Sequence, residues 1–251
     1  MIENLLDLSS LVWIISPIFW CVVATRNIRD SINLANQIIL DVGLLGVLIG
    51  LVGIFKNANG STQFIPLIQV VFLPFLYALI LKGPLYLLAE NQRNPGSKPD
   101  GFLPRSIAII GFLGITAWAM DKAAGIGAYI DALSALVFFG SLLTLAFLTQ
   151  FFGNGDYKKL IRAIPAVGVV FAVLGCIKMV DFIGNGKGIG LALAILMLVL
   201  LYALLLRISC LFAMSDISEI SSSEIEQITS VLVYSIFPLI GVWAILSTSG
   251  V

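Results

Sequence analysis

The sequence predicts an all-α integral membrane protein of eight transmembrane helices in two parallel four-helix repeats. Three observations carry this reading. Of the 251 residues, 59% are hydrophobic and 11% charged, with a mean hydropathy of +1.06. Soluble domains of this size run at about 45–50% apolar and about 25% charged, so no single water-soluble core could hide this surface. Apolar runs of about 20 residues, the length that crosses a bilayer, recur along the chain. The chain also matches itself at a fixed offset of 125 residues.

The predicted spans follow in order. Ser9–Thr25 comes after an acidic start (Glu3, Asp7), which is not the basic start of a signal peptide. Gln37–Phe55 carries four glycines, and Phe64–Leu88 contains Pro74, where a lost backbone bond predicts a kink. Leu103–Met120 follows the longest polar stretch, residues 91–100. Ala132–Phe152 follows a short hairpin, and Ala163–Val180 follows Lys158, Lys159 and Arg162. Gly188–Met214 is a long apolar run, and Ile228–Leu246 comes after the acidic segment 215–227. All connections are short, which leaves no room for a soluble domain.

One set of loops carries 10 of the 14 Lys and Arg residues, the other 4. The richer side is expected to be cytoplasmic, which puts both termini on the other side. The lipid bilayer is the expected surrounding. The formal net charge of zero gives no reason to expect a nucleic-acid partner. There is no histidine, so the commonest metal ligand and general base is missing. Cys21, Cys176 and Cys210 lie in apolar runs with no metal-ligand spacing. Neither a phosphate-binding nor a nucleophile motif is present. The expectation is a protein that is not an enzyme, with no cofactor and no metal.

The offset aligns Leu8, Ser9 and Leu11 with Leu133, Ser134 and Leu136, and Val42-Gly43 with Val167-Gly168. It also aligns Gly50 with Gly175, Leu76-Tyr77-Ala78-Leu79 with Leu201-Tyr202-Ala203-Leu204, and Trp118 with Trp243. Residues 1–125 and 126–251 then form two repeats. Four helices per copy make the copies parallel in the membrane, unlike inverted transporter repeats. On the second helix, Gly43, Gly46, Gly50 and Gly53 share one face. Such a face serves either close helix packing or a pore lining. Gly168, Ala172 and Gly175 form its counterpart.

Ile164-Pro165-Ala166-Val167-Gly168, Gly175, the loop Gly186-Lys-Gly-Ile-Gly190 and Leu201-Tyr202-Ala203-Leu204-Leu205 together resemble the paired pore helices of the MotA/TolQ/ExbB proton-channel family. Residues 123–140 resemble the hairpin joining the first two helices of MotA-like members. The resemblance implies a channel or stator-like subunit of a proton- or sodium-driven motor complex in a bacterial inner membrane. It implies a homo-oligomer around a single-span membrane protein that carries the essential Asp. Val47, Ala172, Tyr77 and Tyr202 join the glycines as pore-lining or helix-packing candidates. The chain departs from the family in two ways. Val47, Ala172, Val199, Leu200, Pro74 and Phe75 stand where the family places pore threonines, and the large cytoplasmic domain has no counterpart.

Ionisable residues at membrane depth are costly and are functional candidates. Asp41 is expected at the start of the second helix, as a pore-mouth carboxylate or an interfacial one favoured by the helix dipole. No carboxylate is expected at the centre of any span. Lys82 and Arg207 are expected to snorkel to the headgroups. Asp131 reads as a hairpin charge, and Lys178 pairs with Asp181 at an interface. A non-conducting oligomeric scaffold and a small-solute transporter are the alternative functions.

Overall fold

The computed structural model describes residues 7–57, 70–90, 101–152, 157–179, 186–214 and Ile236. Among these residues there is no strand. They form seven α-helices: α1 Leu8–Thr25, α2 Ile28–Asn57, α3 Leu73–Glu90, α4 Phe102–Ala124, α5 Ala132–Phe152, α6 Tyr157–Met179 and α7 Gly186–Ala213. A 3₁₀ turn, Ile126–Tyr129, joins α4 to α5. Six of the helices are long and apolar enough to cross a membrane, and the apolar part of α3, Leu73–Ala89, is shorter. The expected eighth span, Ile228–Leu246, lies outside the described residues apart from Ile236, as does the Lys178–Asp181 pairing.

The described residues fall into two compact units. One draws on Met1–Val47, Gln69–Ala119 and Ile208–Ser221, the other on Leu48–Ile68, Met120–Arg207 and Ser222–Val251.

In the first unit, Asp7 caps α1. Its carboxylate accepts the Ser10 amide at 2.8 Å and the Ser10 hydroxyl at 2.5 Å. This satisfies an amide that the helix itself leaves open. The helix ends at Arg26, which takes the left-handed conformation (φ 49°) and donates its amide to the Val22 carbonyl. Asn27 then starts α2: its side-chain Oδ1 accepts the Arg29 amide at 3.1 Å, and its backbone carbonyl accepts the Ser31 amide at 2.9 Å. The buried hydroxyls of Thr25 and Ser31 share a hydrogen bond of 2.6 Å, which fastens the hairpin. Helix α4 packs on α1 where Gly111 faces the Trp20 ring; a methyl group at Gly111 would overlap the indole. Phe112 of α4 packs against Phe212 of α7 with the rings tilted and their centroids 5.6 Å apart.

Two boundaries and one residue differ from the expectations in ways that matter. Helix α2 begins at Ile28, nine residues before Gln37. Its first turns hold Arg29, Asp30, Asn33 and Asn36, which lower the apolarity without breaking the helix. Helix α3 begins at Leu73, so Pro74 sits in the first turn. Val70 and Val71 before it are helical and Phe72 is a turn, so the helix is interrupted where the Pro74 ring removes the amide that would bond the Val70 carbonyl, as the expected kink requires. Asp131 is no loop charge. It is the residue before α5, and its carboxylate accepts the Ser134 amide at 2.9 Å and the Ser134 hydroxyl.

The two helix starts therefore carry the same local structure. The Asp7 amide donates to the Tyr77 hydroxyl at 3.3 Å, and the Asp131 amide donates to the Tyr202 hydroxyl at 3.2 Å. The tyrosines stand 125 residues apart, while the Asp-x-x-Ser caps stand 124 apart.

Candidate functional site

Among the described helices, α2 is the most enclosed. Of its best eighteen-residue apolar window, 89% is buried within the chain, against 61% for α7, 33% for α6 and 18% for α5. Its earlier start changes the position of Asp41. Asp41 follows Ile28 by thirteen residues, about 20 Å along the axis at about 1.5 Å per residue. Its relative exposure is 4%.

A hydrogen bond sets the level of Asp41. The Trp13 indole Nε1 donates to the Val42 carbonyl at 3.2 Å. Trp13 lies five residues after the start of α1 and twelve before its end. The eighteen residues of α1 span about 27 Å, close to the hydrocarbon thickness. Asp41, next to Val42, is therefore level with a point about 8 Å inside the start of α1, a helix long and apolar enough to cross a membrane. Asp41 falls within the long apolar stretch of α2, Ile28–Phe55, thirteen residues from its start.

Nor does Lys82 reach only for headgroups. From α3, its Nζ donates to the Asn36 carbonyl at 2.6 Å. Asn36 is eight residues into α2, and its side-chain Oδ1 is buried and accepts no hydrogen bond from the described residues. The sequence gives no sign of a role for Asn36, because the residue lies outside the expected span.

The glycine face of α2 is occupied by the chain's own helices. A Cβ added at Gly43 would lie 2.5 Å from the Ala78 Cβ and 3.2 Å from the Phe75 Cα of α3. At Gly46 it would lie 2.7 Å from the Trp13 Nε1 and 2.8 Å from the Pro74 Cβ. Gly46 is four residues after Val42, so its amide and the Trp13 indole converge on one carbonyl. A side chain at position 46 would close that approach.

The same device recurs one heptad later, in the second unit. Tyr129 donates its hydroxyl to the Ile49 carbonyl at 2.7 Å. A Cβ at Gly53, four residues on, would lie 3.3 Å from that hydroxyl. Burial pushes the Tyr129 phenol up from its ordinary pKa, so it stays a neutral donor. Tyr202 in turn donates to the Tyr129 carbonyl at 2.7 Å, which holds the 3₁₀ turn in place.

The remaining candidates are placed as follows. Val47 is buried and Gly50 half-buried in α2. In α6, Pro165 and Gly168 are buried, and Ala172 is fully buried. A Cβ at Gly175 would lie 3.2 Å from the Leu196 Cβ of α7. Tyr77 and Tyr202 serve the helix starts of α1 and α5 through their hydroxyls. Among the described residues, no group of three or more His, Cys, Asp or Glu could hold a metal ion.

These features define the class: an all-helical protein whose long apolar helices suit an integral membrane setting, with a carboxylate on its most enclosed helix. The chain matches no family model, no curated protein and no solved structure.

Proposed function

We propose that this chain is an ion-translocating membrane subunit whose own Asp41 supplies the exchangeable carboxylate. The observation that supports it is Asp41 itself, buried on the most enclosed helix and level with the interior of α1. A carboxylate at that depth costs several kcal/mol to place, on the order of 2.5–3.5 at a helix centre, and is retained where it does chemistry. The proposal extends to the setting that the family resemblance implies. That setting is a homo-oligomer of two-repeat chains in a bacterial inner membrane, driving a motor complex around a single-span partner. With Asp41 present, the partner need not carry the only carboxylate.

The test is flux. In vesicles loaded with a pH-sensitive or sodium-sensitive dye, the purified chain should pass protons or sodium under a membrane potential. Asp41→Asn should fall to the level of empty vesicles while keeping the thermal midpoint of the parent. Equal flux for the parent and Asp41→Asn would sink the proposal. A non-conducting scaffold is the second reading. It is favoured by the filled glycine faces of α2, where Trp13, Pro74 and Ala78 take the space a pore would need. It predicts no flux from either protein, with or without a co-purified partner.

A further inference from the structure

The ammonium of Lys82 is held at a fixed level on α2. Lys82 lies eight residues before the end of α3, about 12 Å along the axis. A lysine at that distance has a stem long enough to reach outward toward headgroups. Here the half-buried side chain turns onto α2 and donates to the Asn36 carbonyl at 2.6 Å. Four residues earlier on α3, Ala78 lies so close to Gly43 of α2 that a methyl group there would overlap it. Neither helix can slide past the other without breaking that contact.

Asn36 precedes Asp41 by five residues, about 7.5 Å along the axis and about 140° around it. Asp41 thus lies across α2 from α3, and helix geometry puts its carboxylate on the order of 10 Å from the ammonium. Both groups belong to the first unit. The other described carboxylates of that unit sit at helix ends. Asp7 caps α1, Asp30 accepts the Asn27 side-chain amide in the first turn of α2, and Glu90 ends α3. Asp41 is the buried one, and the nearest in level to the ammonium. At about 10 Å and an effective dielectric of about 20, one unit charge changes a binding equilibrium at the other by roughly tenfold. Bulk water would erase that influence, but the helix between the two groups is enclosed by protein.

We propose that Lys82 is the countercharge that sets the cation affinity of Asp41. The inference rests on the ion-translocation reading and adds a positioning residue to it, one that touches neither the ion nor the carboxylate. A carboxylate in a low-dielectric interior attracts a cation strongly and releases it slowly. A fixed positive charge across the helix opposes the bound cation and stabilises the empty carboxylate, so that the site can both load and release.

The test reads flux in vesicles against the concentration of the transported cation, for the full chain and its variants. Lys82→Gln should lower the half-saturating concentration about tenfold. It should also lower the maximal flux, because release slows. Lys82→Arg keeps the charge and should stay within about twofold of the parent. Arg29→Gln removes an equal charge at the exposed end of α2, about 18 Å along the axis from Asp41, and should leave the half-saturating concentration unchanged. Three results overturn the countercharge. One is the parent's half-saturating concentration in Lys82→Gln. Another is a shift of the same size in Lys82→Arg, which would make the cause shape and not charge. The third is an equal shift in Arg29→Gln, which would make it surface potential. Each variant is first checked for the parent's thermal midpoint. If Lys82→Gln falls short, Lys82→Met keeps the aliphatic stem without the charge and must give the same shift. Flux that does not depend on Asp41 overturns the ion-translocation reading and the countercharge with it. Flux that depends on Asp41 but keeps its half-saturating concentration in Lys82→Gln overturns the countercharge alone.

Discussion

Helices α2 and α6 are paired by the 125-residue offset, yet they live in different surroundings. At the paired positions Asp41 and Ala166, Leu45 and Val170, Leu48 and Val173, Ile49 and Leu174, and Val52 and Ile177, every α2 residue is buried and every α6 residue is exposed. The glycine faces are alike, because both are covered by a neighbouring helix of the chain. What differs is the opposite face. In α2 that face holds the carboxylate and lies inside protein. In α6 it holds Ala166 and branched apolar residues, which suit lipid. Polar side chains differ too: Asn33 and Gln37 align with Lys158 and Arg162. The two aligned stretches thus form one enclosed helix with a carboxylate and one exposed, apolar helix. Enclosure is what makes a carboxylate tolerable, since protein dipoles and water can solvate it where lipid cannot.

The largest effect should come from exchanging the two environments. Asp41→Ala, combined with Ala166→Asp, conserves composition while moving the carboxylate to the exposed face. Flux should vanish, and membrane insertion should weaken by about 2.5–3.5 kcal/mol for the lipid-facing Asp. Glycosylation-tag mapping of insertion, run beside the dye assay, checks both. Retained flux would mean that the faces are equivalent and that enclosure is not the deciding difference.

A smaller contrast lies in the glycines. Gly43→Ala must push against the Ala78 Cβ and the backbone of Phe75, neither of which can swing away. Gly175→Ala meets only the Leu196 side chain, at 3.2 Å and beyond. Overpacking at the first site should cost about 1–3 kcal/mol and at the second less than about 1. Thermal unfolding in detergent reads both. An equal cost would show that α2 is no more tightly packed than α6 on its glycine face.

The sequence made the helices legible because apolar length is a strong signal. The expected α5 has the ends that the structure shows, and the expected α1 agrees within a residue. The start of α2 escapes sequence reading for a physical reason. Polar residues at a span's end look like loop when hydropathy is averaged, yet Asn and Asp side chains at the first turn favour a helix start, as Asn27 does. A start expected nine residues too late places Asp41 near the beginning of the helix and leaves Asp30, Asn33 and Asn36 outside it. The shared face of the glycines follows from their spacing alone. That Gly46 and Gly53 each open a carbonyl to Trp13 and Tyr129 could not be read, because the donors lie far away in the chain.

The Tyr129 contact sharpens the comparison at the far end of α2. Tyr129→Phe removes a donor to the Ile49 carbonyl, and its cost should be up to about 1.5 kcal/mol. The pH dependence has a definite sign. Burial raises this phenol, so its contribution is complete below the ordinary tyrosine pKa. It is lost as pH rises through the raised value. Removing the group should therefore flatten the alkaline end of the stability curve, which a series of thermal midpoints from about pH 9 upward measures.

The smallest effect tests the pairing of the two halves most directly. Asp7 and Asp131 each accept an amide and a hydroxyl from the serine three residues on, and each donates its own amide to a tyrosine hydroxyl. Asp7→Ala and Asp131→Ala remove the carboxylate and leave the backbone donor in place. Each should cost about 1 kcal/mol, the usual loss for a helix cap. Asp→Asn at either site keeps an oxygen acceptor for the serine amide, so it should recover most of that loss. Equal costs and equal rescue would mean that α1 and α5 start by the same mechanism, as a duplicated four-helix ancestor requires. A cost at one site alone would leave the shared cap as convergence, because an Asp-x-x-Ser start is favourable for any helix. The one-residue slip between the caps and the tyrosines belongs to the same test. A true repeat tolerates it only if the tyrosine hydroxyl reaches the capping residue's amide from either register, and at both helix starts it does.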